Sequence, residues 1–114
     1  MCTPLILSTL AELDNALEQT RDRPLLLFKH SLYCDRSVTA HGELMQLCRQ
    51  PPAGVSVAVV TVQTARRLCE EVARRLGVEH HTPQALVVVD GAVTWHARHW
   101  QVTAAAMRTA LAAD

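Results

Sequence analysis

The segment Cys34-Asp35-Arg36-Ser37 sets one thiol three residues ahead of a hydroxyl. In a dithiol redox enzyme the second position holds the cysteine that resolves a mixed disulfide; here that group is missing. Cys34 follows a short apolar run ending in polar Lys29-His30-Ser31 and precedes a helical pattern, so it falls at a strand-to-helix junction. Backbone N–H groups at a helix N-terminus lack intrahelical partners, and the dipole there favours an anion. A thiolate at that spot gains from both, and the thiolate is the nucleophile in disulfide exchange. Lys29, His30 and Arg36 add positive potential close by, and Asp35 opposes it. Ser37 can hydrogen-bond the thiolate but cannot release a bound substrate. The chemistry expected is monothiol: Cys34 takes a group, and a second thiol removes it. The plainer alternative is a structural cysteine followed by a helix-capping serine.

A second constellation lies further on. Thr82-Pro83-Gln84 stands before the apolar run Ala85–Val89, which makes Pro83 a candidate cis residue and leaves the Thr82 backbone free to pair with an extended or thiol-bearing substrate. The segment Trp95-His96-Ala97-Arg98-His99-Trp100 ends the next strand. It is expected to meet Cys34 and Pro83 at one cleft. Trp95, His96, Arg98 and His99 then form a ligand wall, with Arg98 able to hold a substrate carboxylate and one of the two tryptophans given to the core. His80-His81 and His96/His99 have no regular thiolate or carboxylate partners, so no metal site is expected.

Thr9 and Glu12 form a capping box for a helix over about 9–20. Leu25–Phe28 reads as a central strand covered on both faces. A helix beginning near Cys34 carries Val38, Met45 and Cys48 and stops before Pro51-Pro52. Val55–Thr61 is a second strand; Ala65, Leu68, Cys69, Val72 and Leu76 mark a third helix closed by Gly77. Ala85–Val89 and Ala92–His96 form a hairpin turning on Asp90-Gly91, and Thr103 caps a last helix to about Ala112. The order αβαβαββα, with right-handed crossovers, predicts a thioredoxin-like α/β domain over residues 1–114: one mixed sheet of about four strands flanked by helices.

The 114 residues carry 11 basic and 11 acidic side chains, a formal net charge of zero that argues against nucleic-acid or membrane-surface binding. No apolar run approaches a membrane span, the N-terminus lacks the basic region of a signal peptide, and a cytoplasmic protein is expected. The other cysteines have neither metal-knuckle nor dithiol spacing. Cys48 and Cys69 read as buried helical fillers, and Cys2 as part of a frayed end.

The sequence resembles the monothiol bacilliredoxins, small thioredoxin-like proteins of the bacillithiol system. Three motifs carry the likeness: Phe28-Lys29-His30-Ser31 with Cys34 and Ser37; Gly77-Val78-Glu79-His80 leading to Thr82-Pro83-Gln84; and Val93-Thr94-Trp95-His96 with His99-Trp100 and Thr103. The resemblance implies removal of bacillithiol from S-bacillithiolated proteins, with Cys34 as nucleophile, no bound cofactor, and bacillithiol as co-substrate. Recycling of Cys34 then falls to free bacillithiol or a second redoxin. His30 and Ser37 tune the thiolate, while Lys29, Arg36, Thr82, Pro83, Trp95, His96, Arg98 and His99 bind substrate. Family members commonly carry proline after the reactive cysteine, where this chain has Asp35; Arg98 stands in place of a small residue. Two rivals are a non-catalytic thiol-binding adaptor and a carrier of a shared iron–sulfur cluster, as in monothiol glutaredoxins.

Overall fold

The computed structural model describes residues 2–112. Five strands form one mixed sheet in the order β1-β3-β2-β4-β5. β1 is Leu5–Ile6, β2 Leu25–His30, β3 Ser56–Thr61, β4 Gln84–Val89 and β5 Ala92–Arg98. β1 and β2 run parallel to β3, whereas β4 is antiparallel to both β2 and β5. The helices are α1 (Leu10–Glu18), α2 (Asp35–Arg49), α3 (Val62–Leu76) and α4 (Ala104–Ala112). Local chemistry explains their ends. Thr9 Oγ1 accepts from the Glu12 amide while Glu12 reaches back to the Thr9 amide, a complete capping box. Gly77 closes α3 at φ 67°, and Asp90-Gly91 turn the hairpin at φ 49° and 77°, the left-handed pair that a two-residue hairpin turn requires.

Because side chains alternate across a strand, β2 feeds two separate cores. Leu26 and Phe28 pack with Ala40, Leu44 and Leu47 of α2 and Met107 of α4. Leu25 and Leu27 pack with Leu13 of α1 and with Leu68, Cys69 and Val72 of α3. The fold is the expected one with a strand added. β1 pairs with β3 at the sheet edge, Leu5 beside Ala58 and Ile6 beside Val59. The end read as frayed is also tied down, since the Cys2 amide donates to the Cys48 carbonyl at 2.7 Å and the Leu7 amide to Val59 at 2.9 Å. α2 presents a different face from the one its apolar spacing suggested. Val38 and Met45 are exposed, and Ser37, Ala40, Leu44, Leu47 and Cys48 are its buried residues.

Candidate functional site

β2 and α2 join through residues 31–34, and this joint presents the thiol. Cys34 is the N-cap of α2, in extended backbone, and its carbonyl accepts from the Val38 amide at 3.0 Å. Its side chain makes no capping hydrogen bond, and the residue is partly exposed at the helix start, where the first N–H groups lack intrahelical partners. The loop before it is held from below. Gln63, at the start of α3, accepts from the Leu32 amide and donates to Ser31 Oγ, both at 2.9 Å. Leu32 and Tyr33 consequently point outward, Tyr33 at 87% exposure.

Ser37 does not serve the sulfur in the way its spacing suggested. It is fully buried, and its Oγ lies 2.8 Å from both the Ser31 amide and His30 Nδ1. The amide donates to Oγ, and the hydroxyl proton goes to Nδ1 in the tautomer protonated at Nε2. Burial, with His41 beside it, pushes the His30 imidazole below its ordinary range, so the ring is neutral near pH 7. Phe28, His30 and His41 form a ring cluster beneath α2, the two imidazoles 4.7 Å apart. His30 and Ser37 therefore position the loop that carries the thiol.

On the other flank, the Thr82–Pro83 peptide is cis, and the Pro83 carbonyl accepts from the His99 amide at 3.1 Å. Lys29 pairs with Gln84 across β2 and β4, so Pro83 comes beside the end of β2, next to the loop leading to Cys34. His99 begins a 3-10 turn ending at Gln101, at φ 56°, a left-handed conformation that costs a non-glycine residue about 1 kcal/mol. That turn delivers Trp100, 72% exposed, beneath the Arg36 guanidinium, which sits 4.8 Å from the ring. Arg36, Trp100, His99 and Pro83 thus form a connected wall beside the N-terminus of α2. A groove of about 290 Å³ runs along it, lined mainly by Asp35, Arg36, Thr39, Trp100 and Val102. Burial, together with Arg36, Arg98 and His81, pushes the His99 imidazole down, so this wall carries its positive charge on arginine.

Other expected members of the site lie elsewhere. Lys29 is fully buried on the opposite face of β2, near the Cys69 thiol, and its ammonium has no hydrogen-bond partner. Desolvation pushes its pKa down to about 8. Lys29 is therefore removed from the positive groups expected beside Cys34, and Arg36 stays. Trp95 lies opposite Val87 and packs on the α2/α4 core. His96 and Arg98, paired with Leu86 and Gln84, face the other way. There they line a polar cavity of about 320 Å³ with Glu79, His81 and Gln101, and Arg98 lies 2.6 Å from His81 Nε2. The ligand wall is thereby divided between two sides of the sheet. Tyr33, Gln63 and His41 also shape the site and lie outside the expected set, Tyr33 alone being signalled by the apolar pair before the cysteine. Of the two tryptophans in the segment expected at the cleft, Trp95 takes the core and Trp100 the wall.

Among the described residues no group of three or more His, Cys, Asp or Glu side chains is gathered as for a metal ion, and no helix is long and apolar enough to cross a membrane. In fold the chain is similar to a solved protein described by its thioredoxin fold, at TM-score 0.83 and 23% identity over 94% of this chain and 92% of that one. It is likewise similar to Fasciola hepatica thioredoxin (TM-score 0.75, 18% identity, 96% and 97% covered). Malassezia sympodialis thioredoxin gives TM-score 0.78 at 11% identity, with 99% and 91% covered. Residues 6–107 match the family described as monothiol bacilliredoxin BrxC, whose description carries a redox role for a single thiol. The chain belongs to the monothiol bacilliredoxin family.

Proposed function

We propose that this protein is a cytoplasmic oxidoreductase that removes bacillithiol from S-bacillithiolated proteins. The observation that carries the reading is the unequal treatment of two positions. Cys34 sits uncapped and partly exposed at the start of α2, while Ser37, where a resolving thiol would stand, is buried and bound to His30 and Ser31. The Cys34 thiolate attacks the bacillithiol sulfur of the mixed disulfide. The S–S bond breaks, the protein substrate leaves as a thiolate and takes a proton, and bacillithiol stays on Cys34. No other thiol is placed to finish the exchange: Cys48 and Cys69 are buried within the two cores, and Cys2 is held against Cys48 at the far end of α2. A free bacillithiol or a second redoxin therefore regenerates Cys34.

The surroundings suit such a substrate. Exposed Leu32, Tyr33 and Trp100 offer apolar contact to a polypeptide, and Arg36 offers a cation to the carboxylates of an anionic thiol. Arg98 and His96, turned to the other side of the sheet, are left out of this contact. The test is to incubate the reduced protein with a bacillithiolated substrate and follow the intact mass of both. Wild type gains one bacillithiol at Cys34 as the substrate loses it, and Cys34→Ser does neither. A wild type that gains no bacillithiol, leaves the substrate modified and behaves as Cys34→Ser ends the enzymatic reading.

A further inference from the structure

Cys2 and Cys48 lie far from the site, yet the fold brings them together. The Cys2 amide donates to the Cys48 carbonyl at 2.7 Å, and Cys2 packs on the core cluster that includes Cys48. Backbones joined by such a bond approach to roughly the Cα separations of paired strands, within the range a disulfide spans. Their side chains are also close, since Cys2 packs on the cluster holding Cys48 and its thiol acts on the Cys48 thiol. Both cysteines are free, Cys2 half-buried and Cys48 buried. We propose that Cys2 and Cys48 form a second redox site, an intramolecular disulfide made under peroxide stress, independent of Cys34.

The chemistry divides by exposure. Cys2 is the sulfur that peroxide reaches. Its thiolate attacks one peroxide oxygen, the O–O bond breaks, and hydroxide leaves as water, giving a sulfenic acid. The Cys48 sulfur then attacks the Cys2 sulfur, the S–O bond breaks, and the departing hydroxide takes the Cys48 proton as a second water. In total two thiols are oxidised and one peroxide is reduced. Burial and the Cys2 thiol push the Cys48 thiol up to about 12, so Cys2 is the first of the two to react with peroxide. The bond pins the chain ahead of β1 to the last turn of α2. This fixes the two-residue edge strand, whose Leu5 and Ile6 are more than half exposed.

The decisive experiment uses Cys34→Ser, so its outcome is separate from the fate of the proposed exchange reaction. The reduced variant is treated with hydrogen peroxide, its remaining thiols are alkylated under denaturing conditions, and a non-reducing peptide map is made. The expected product is a Cys2–Cys48 linked peptide with Cys69 alkylated, and a thermal midpoint about 10 °C above that of the reduced form. Cys2→Ser in the same background folds, yields no linked peptide and shows no such rise. Alkylated Cys48 beside a Cys2 that is over-oxidised or joined to a second molecule would overturn the proposal.

Discussion

Lys29 and His30 are neighbours on β2, both buried, both polar, and the fold treats them in opposite ways. His30 points beneath α2 and meets Ser37 at 2.8 Å within a cluster of rings. Lys29 points beneath α3, where its ammonium has no partner and the Gln84 amide oxygen, paired opposite it, is also unmet. A neutral imidazole with one satisfied nitrogen is an inexpensive thing to bury, whereas an unpaired ammonium is among the costliest. The two faces of one strand therefore do different work. The α2 face uses polar groups to fix the loop that presents Cys34, and the α3 face tolerates a charge that weakens the core.

The largest effect expected from this contrast is on the Lys29 side. Lys29→Met keeps the aliphatic stem and removes the charge. With the native pKa near 8 against 10.5 when free, the penalty is roughly 3 kcal/mol. The variant should therefore be more stable at pH 7 by about that amount. The sign of the pH dependence follows from the same shift. Below pH 8 the lysine is protonated in both states and the full penalty stands. Above pH 8 the native form releases its proton first, so the unfolded chain holds more protons and wild-type stability rises. From pH 8 to 9 the gap between variant and wild type should close by about 1 kcal/mol in urea melts at each pH, since thiol ionisation in the unfolded chain is common to both proteins. A gap that stays constant would show that Lys29 is paired in solution.

On the α2 side the expected change has the opposite sign. Ser37→Ala leaves the Ser31 amide and His30 Nδ1 without their shared partner, and should destabilise by about 2 kcal/mol. Hydrogen exchange at Ser31 and Leu32 should quicken well beyond that at Leu26 and Leu27, because the loop before Cys34 loses one of its two anchors. The Gln63 anchor to Leu32 and Ser31 would remain. An unchanged melting midpoint with unchanged exchange would remove the positioning role from the polar groups of the α2 face.

The contrast also explains what could be read from the chain beforehand. Strong local signals were legible: the Thr9 and Glu12 capping box, the Asp90-Gly91 turn, Gly77 after α3 and the junction that holds Cys34. Two kinds of feature were not. β1 is a two-residue strand with exposed side chains, and nothing periodic fits in so short a stretch. Facing was the second. Leu25–Phe28 is apolar throughout, so the run hides the alternation that sends Lys29 and His30 to opposite sides. The same alternation in β5 parts Trp95 from His96 and Arg98. Proximity in sequence suggested one cluster of charge round the thiol, and the period of two divides it. Cys2 was illegible for a different reason, since its hold on Cys48 depends on a long-range backbone bond.

The smallest expected effect tests whether the neutral state of His30 matters. Burial and His41 hold its pKa below 6.5, so as pH falls under 6.5 the unfolded chain takes up a proton that the native ring refuses. Native stability then drops with acid until the pH reaches the native pKa. His80 and His99 are shifted in the same direction by burial and by cations, so His30 accounts for only a share of the slope. His30→Phe retains a ring between Phe28 and His41 and leaves Ser37 its bond from the Ser31 amide. Its neutral-pH stability should fall by about 1 kcal/mol for the lost hydroxyl partner. Between pH 6.5 and 5 its stability should decline less steeply than that of wild type. Parallel declines would mean that His30 titrates alike in both states, and that Ser37, without a neutral imidazole to receive its proton, fixes the loop through the Ser31 amide alone.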